Sequence, residues 1–315
     1  MEHVAQSAVA PVDARTGLPL AVLSAASFAL SGPLARGLID AGWSPSAVVL
    51  VRMSVAALVI APFAVGAMRR RWGVARRNAR LLLAYGLVPV AGTQYAFFSA
   101  VAAMDVGPAL LIEYTAPAAI VVWLWLRRGE RPTRLTCAGA AIALVGLVLV
   151  LDLLSGADLA TGGVLWALAA MVGAATYFVL SARVTDLPPL ALAGGGLAIG
   201  AVALGALGAV GLLPMRATSI DPTYAGHAVV WWLPLIGLGV VTAAIGYATG
   251  IVASRRLGSR LASFVALLEV VAAVTFAWLL LDQVPGALQM VGGAIVVIGV
   301  IVVKLGEPRV RLDVA

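Results

Sequence analysis

Two carboxylates in this 315-residue chain stand inside apolar spans: Glu113, near the middle of GPALLIEYTAPAAIVVWLWLRRGERP (Gly107 to Pro132), whose other charges gather at its arginine-rich end, and Glu269, in the apolar run that ends at Leu281. A charge at the centre of a membrane span costs about 2.5 to 3.5 kcal/mol on insertion scales, so it needs a partner or a task. Arg52 is a third such group. It lies about eight residues into its run and Glu113 about eight into its own from the same side, which at 1.5 Å per residue puts both at a depth of roughly 12 Å. An ion pair between them is geometrically open, and it reads equally as structural glue or as a carboxylate clamp for a substrate. Gln94, Tyr95, Tyr114, Tyr177 and Tyr247 add polar or amphipathic groups at mid-span, where packing is the plainer explanation of each. With Arg52, Glu113 and Glu269 they make up the candidate substrate-binding set.

The chemistry available to such a set is binding and proton exchange rather than bond breaking. The chain has two histidines, His3 and His227, both outside the apolar runs, and no His-Glu-x-x-His pattern, so catalytic residues, a metal site and a cofactor are not expected. Its one cysteine, Cys137, sits in an apolar run and reads as packing. No G-x-x-x-x-G-K-[ST] loop occurs, so direct drive by ATP would need another chain.

The elements that must position these residues are membrane helices. Hydrophobic residues make up 62% and charged residues 11% of the chain, with a mean hydropathy of +1.05, against about 25% charged in a soluble domain. The net charge of +7 would suggest nucleic acid in a soluble protein, but here the arginines lie in short loops between apolar runs, and topology explains them better. Runs bounded by charges, Pro and Gly predict ten helices, over roughly 17–39, 44–67, 81–103, 106–126, 135–152, 162–182, 188–213, 229–252, 261–281 and 286–304. Alternation of the barrel kind is absent. With the N-terminus inside, cytoplasmic segments hold Arg69, Arg70, Arg71, Arg76, Arg77, Arg80, Arg127, Arg128, Arg131, Arg134, Arg183, Arg255, Arg256 and Arg260, whereas outer ones hold Arg36 and Arg216 beside Asp40, Asp105, Asp158, Asp221 and Asp282. Both termini are therefore expected in the cytoplasm, as tails 1–16 and 306–315. Arginine outnumbers lysine twenty to one, the coding bias of a GC-rich bacterium, so a bacterial inner membrane is the expected location.

The chain also repeats. A shift of 153 residues lays PAAIVVWLWLRRGERPTRLTCAGAAIALVGLVLV on VVAAVTFAWLLLDQVPGALQMVGGAIVVIGVIVV, matching Trp125 to Trp278, Pro132 to Pro285, Gly139 to Gly292 and Gly146 to Gly299. The expected units are 17–153 and 162–305. Each holds five helices, an odd number, so the second must enter the membrane inverted, an architecture of transporters. In the repeat register Glu113 falls opposite Ala266 and Glu269 opposite Ala116, three residues apart on one face.

The paired segments resemble the EamA domains of the drug/metabolite transporter superfamily. The resemblance rests on the turns Arg128-Gly129-Glu130 and Leu281-Asp282-Gln283, each followed by a Gly-x6-Gly helix, and on Pro45 followed by Arg52. Ile112-Glu113-Tyr114-Thr115-Ala116-Pro117 is similar to the fourth helix of the threonine and homoserine exporters in that superfamily. The pattern departs where the family often has Trp, at Phe28 and Gly173-Ala174-Ala175, and where its Glu-Pro appears as Glu269-Val270. The resemblance implies an all-α protein of ten transmembrane helices, built as two inverted EamA repeats. It implies a secondary transporter that exports a small metabolite such as an amino acid by alternating access. A proton-coupled uptake carrier and a non-transporting membrane scaffold stand as alternatives. The expected partners are the lipid bilayer, a small-molecule substrate and protons, with no nucleic acid.

Overall fold

Residues 13–69, 71–103, 106–129, 131–150, 161–183, 185–281 and 284–306 are described in a computed structural model. Glu130, Asp282 and Gln283 of the two turns, the outer Asp105 and Asp158, Arg70, and tail residues 1–12 and 307–315 lie outside the described residues. The described residues form fifteen α-helices, two short π-helical segments and one two-stranded hairpin. Among the described residues, seven helical stretches are long and apolar enough to cross a membrane, and three shorter apolar helices of 10–17 residues accompany them.

The difference from ten uninterrupted spans has local causes, several of them prolines. The first run divides into α1 (Ala14–Ala29) and α2 (Ser31–Asp40), because the ring of Pro33 excludes the carbonyl of residue 29 from an intrahelical bond. The fourth divides into α7 (Val106–Glu113) and α8 (Ala116–Arg128) at Tyr114-Thr115, where Pro117 does the same to the carbonyl of Glu113. Here the Thr115 N–H donates to the Ile112 carbonyl, a tighter three-residue step (3.2 Å). Gly129, at φ 68°, then closes α8 in the left-handed conformation that favours glycine.

The predicted loop between residues 252 and 261 is replaced by a sharp turn inside α13 (Gly246–Ala266), made by Gly258 at φ 78°. Arg255 and Arg260, expected in that loop, are partly or fully buried. After α13 the chain steps at Leu267 into α14 (Leu268–Leu281). The remaining elements are α3 (Pro45–Ala67), α4 (Trp72–Arg77), α5 (Ala79–Tyr85), a π segment (Gly86–Gly92), α6 (Thr93–Ala103), α9 (Arg134–Val150), α10 (Thr161–Ser181), α11 (Pro189–Ala209), β1 (Thr223–Tyr224), β2 (His227–Ala228), α12 (Trp232–Gly237), a second π segment (Leu238–Ile245) and α15 (Ala287–Gly306).

The repeat reappears in these boundaries. Helices starting at Ala79 and Arg134 have counterparts starting at Trp232 and Ala287, each 153 positions on, and the two π segments and the interruptions at Tyr114 and Leu267 keep the same offset to within one residue. Helices α3 and α11 both open on Pro at the first turn, where its missing N–H costs nothing. Ten positions after each proline, Val55 and Ile199 pack against Gly239 and Gly86, the counterpart glycines of the two π segments.

Packing is reciprocal: α1 lies on α13 and α10 on α6, while α3 pairs with α11 and α9 with α15. In the last pair Gly139 faces Gly299 and Val303, and Gly146 faces Gly292 and Val296, so the helices run antiparallel and exchange equivalent contacts. A Cβ on either glycine would lie 2.6 Å from a backbone nitrogen of α15. Small residues let helix backbones approach this closely in lipid, where there is no hydrophobic drive between helices.

Buried Leu38, Met53, Leu192, Leu197 and Leu238 centre one core, and Leu147, Leu261, Phe264 and Val296 a second. Leu58, Phe63, Leu165, Val202 and Leu305 point outward, as a lipid-facing surface requires. The hairpin was not expected. Its two-residue turn, Ala225 (φ 46°) and Gly226 (φ 74°), has the positive dihedrals that match strand twist. It seats on the bundle through the Tyr224 hydroxyl, which donates to the Leu34 carbonyl (2.6 Å), and the Ala225 N–H, which donates to the Leu280 carbonyl (2.6 Å).

Candidate functional site

A cavity of about 740 Å³ lies between the halves of the chain, walled by α1, α2, α6, α8, α10, α13 and α14. Its polar lining includes Arg52, Gln94, Glu113, Tyr114, Tyr177, Tyr247 and Glu269, and its apolar lining Phe28, Phe97, Phe98 and Phe178. The exposed residues among its lining, Gly32, Arg36 and Asp40, all belong to α2, so the cavity opens at that end of the bundle. Arg36 and Asp40 at this mouth form an exposed ion pair one turn apart (2.9 Å).

Arg52 enters from α3 and is 3% exposed. Its Nη1 donates to Gln94 Oε1 (2.8 Å) and its Nη2 reaches the Thr242 carbonyl in the second π segment (3.5 Å). The guanidinium carbon stands 5.8 Å from the centre of the Phe28 ring, in cation–π range. Its Nε has no hydrogen-bond partner among the described residues. The two groups that bond Arg52 come from the π-helical regions of the two halves: Gln94 is the second residue of the helix after the first π segment, and Thr242 lies within the second; the counterpart of Gln94, 153 residues on, is Tyr247, also on the cavity wall. Neither Glu113 nor Glu269 forms an ion pair with Arg52.

Each carboxylate sits at a helix interruption. Glu113 is the last residue of α7, and Glu269 falls in the first turn of α14. Val270 stands where Pro117 does in the first half, yet the interruption persists, with the Val270 N–H donating to the Leu267 carbonyl three residues back (3.1 Å). The Tyr114 hydroxyl lies in interaction range of the Glu269 carboxyl, a link between the fourth and ninth segments of the chain.

The end opposite the mouth is filled. Phe28, Tyr247, Tyr177 and Tyr85 form a chain of rings with centroids 5.1, 5.7 and 6.0 Å apart. Tyr85 is fully buried, with its hydroxyl 3.2 Å from Ser181 Oγ. Beyond it Asp186 accepts hydrogen bonds from Arg77 Nη2 (2.7 Å) and Asn78 Nδ2 (2.9 Å), while Arg255 Nη1 donates to the Leu187 carbonyl (2.9 Å). The short connection between α10 and α11 is thereby tied to both halves. The Arg77 guanidinium and the Asn78 amide hold the Asp186 carboxyl below the usual aspartate range.

Of the residues singled out in the sequence, the cavity gathers Arg52, Glu113, Glu269, Gln94, Tyr114, Tyr177 and Tyr247. Tyr95 is not among its lining; its ring packs edge-on against Trp166 of α10 (5.5 Å). Sequence reasoning passed over Ser24, whose hydroxyl donates to the Gly246 carbonyl (2.8 Å), and Thr242. Phe28 was visible only as a departure at a position where the resembled family has Trp.

The sequence matches the EamA-like transporter family over residues 15–152 and 161–305, one match for each half. The chain belongs to that family. It is accordingly a multi-pass membrane transporter of small molecules and not an enzyme. One solved structure, described only as a crystal structure of a protein, superposes on this EamA-like transporter with a TM-score of 0.69 over 91% of this chain and 96% of the other. At 22% identity that likeness shows the fold alone. No curated protein matches the sequence.

Proposed function

We propose that this transporter has ten membrane-spanning segments in two inverted five-helix repeats, 17–153 and 162–305, and exports a small metabolite such as an amino acid by alternating access. The antiparallel, reciprocal contacts of α9 and α15 support a two-fold axis in the membrane plane. The observation that carries the reading is the cavity: it lies between the halves, holds a buried cation and two carboxylates, and is open at one end and plugged by tyrosines at the other. With both termini in the cytoplasm of a bacterial cell, the α2 mouth faces outward and the Asp186 end inward. Arg52, Glu113, Glu269, Gln94, Tyr114, Tyr177 and Tyr247 form the substrate contacts in this reading, and Glu113 exchanges a proton for the substrate's ammonium group.

Reconstitution in liposomes loaded with a pooled metabolite mixture tests it. The expected result is loss of one chemical class from the lumen, accelerated by an inward proton gradient. Retention of every compound overturns the transport reading. Glu113→Gln keeps shape and most hydrogen bonding but removes the charge, so it should insert and fold while losing proton-driven flux. Normal coupled flux in Glu113→Gln removes Glu113 from the mechanism and makes Glu269 the next carboxylate to replace.

A further inference from the structure

We infer that Arg52 is the anchor for a carboxylate on the transported molecule, with Gln94 as its positioning residue, so that the substrates are carboxylic acids bearing an amino group rather than simple amines or neutral compounds. The inference rests on the transport reading for its biological sense, but its geometry is independent of flux.

A guanidinium carries five N–H donors in a planar fork. Arg52 commits one to Gln94 at 2.8 Å and one to a backbone carbonyl at the outer limit of 3.5 Å, and its Nε has no hydrogen-bond partner among the described residues. Taking such a cation out of water is costly unless its donors are satisfied by a counter-charge. Two carboxylates line the same cavity, and an arginine whose only task was to brace the bundle would be expected to take one of them. It takes neither. The guanidinium is instead held in place from α6 by the Gln94 amide oxygen and on one face by Phe28. Fixing one nitrogen with a neutral acceptor sets the plane of the fork without neutralising it, and the planar pairing with a carboxylate remains available.

The rest of the cavity narrows the class. A ligand with a carboxylate alone would face Glu113 and Glu269, whereas one that also carries an ammonium group has an acidic partner for it on the same lining. The volume of about 740 Å³ falls in the range of small-molecule sites, and Phe28, Phe178 and Tyr177 offer an apolar wall for a side chain.

The test is binding to the purified full-length chain in detergent, followed by thermal stabilisation and calorimetry. The probes are matched sets: L-phenylalanine, L-leucine and L-threonine, each against its own carboxamide and its decarboxylated amine. At least one amino acid should stabilise the protein and bind about tenfold or more tightly than its amide, the factor expected when a charged pair is lost. Arg52→Gln should erase that preference. Gln94→Leu leaves a buried guanidinium donor unpaired and should lower the melting temperature of the unliganded protein; it should also shrink the acid-over-amide preference, a change in selectivity that a merely structural glutamine would not produce. Equal binding of acids and amides, absence of binding by every acid, or an unchanged preference in Arg52→Gln with the parent fold each overturns the anchor. Acids that bind by these criteria but never cross a liposome membrane leave the anchor standing and sink the transport reading. Flux of amines with no preference for acids does the reverse.

Discussion

Seven positions after their opening prolines, α3 carries Arg52 and α11 carries Gly196. The two helices occupy equivalent places in a duplicated backbone and pack directly on each other. Around Arg52 there is an open cavity, whereas against Gly196 lies the ring of Tyr85, 2.6 Å from where a Cβ would stand. The ends of the bundle differ in the same sense. Asp40 pairs with Arg36 on its own helix and leaves the mouth free, while Asp186 reaches Arg77 and Asn78 across a connection and ties its end shut. Duplication of the backbone therefore does not duplicate the site: each half supplies a carboxylate, but only the first supplies the buried cation, and the second supplies at the equivalent position room for the plug that closes the opposite end.

The contrast breaks most completely where the halves are joined. Gly146→Leu would drive a side chain into the backbone of α15 at Val296 and Gly292, which cannot yield as a side chain can. The expected loss is at least about 3 kcal/mol, read as denaturant unfolding in detergent. Gly196→Leu is milder, because what it meets is a tyrosine ring. It should cost about 1–3 kcal/mol, and Tyr85→Ala in the same chain should recover part of that cost. Additive losses in the double variant would show that Tyr85 does not fill the space Gly196 leaves. Gly205→Ala on the same helix meets only Leu50 at 3.7 Å and should be near neutral.

A local effect, smaller than that of either glycine-to-leucine change, belongs to Asp186, half exposed at the closed end. Its carboxyl is held below the ordinary aspartate value of about 3.9, so its contribution is complete above that value and is lost as pH falls through the depressed one. Protection of the amides of residues 185–187 against hydrogen exchange, taken relative to their intrinsic rates at each pH, should therefore fall on acidification in the parent. Asp186→Asn should exchange faster at neutral pH and lose most of that pH dependence. An unchanged exchange rate in the variant would mean that Arg255 and the Leu187 carbonyl hold this end without it.

Helix starts near residues 44, 162 and 286 and the 153-residue offset were legible in the sequence because they depend on hydropathy, proline and glycine, which act locally. The gathering of Arg52, Glu113 and Glu269 in one cavity followed from charge in apolar runs. What was not legible depended on direction. Arg52 and Glu113 share a depth, but depth says nothing of rotation about a helix axis, and the guanidinium turns to Gln94 instead. Tyr95, one residue on, points to Trp166 for the same reason. Hydropathy also runs unbroken through Leu30, Tyr114 and Leu267. Two of these interruptions could have been anticipated from Pro33 and Pro117, but the third has Val270 in place of proline and follows only from its surroundings.

The paired π segments set the phase of everything that follows them. Hydrogen bonds spanning five residues instead of four lodge one surplus residue in the turn, and at 3.6 residues per turn each residue is worth about 100° of rotation. Pro89 helps fix the first surplus, since it denies Tyr85 its usual donor. Deleting one residue between Gly86 and Gly92 would shorten the third span by only about 1.5 Å and leave its hydropathy almost untouched. It would nevertheless turn Gln94 about a quarter-circle away from Arg52 and carry the face of α6 off the cavity. The same holds for Tyr247 downstream of Leu238–Ile245. Aligning this chain by membrane spans alone would thus preserve every segment and still misplace the binding face, because the angular register is stored in two extra residues that no count of spans records.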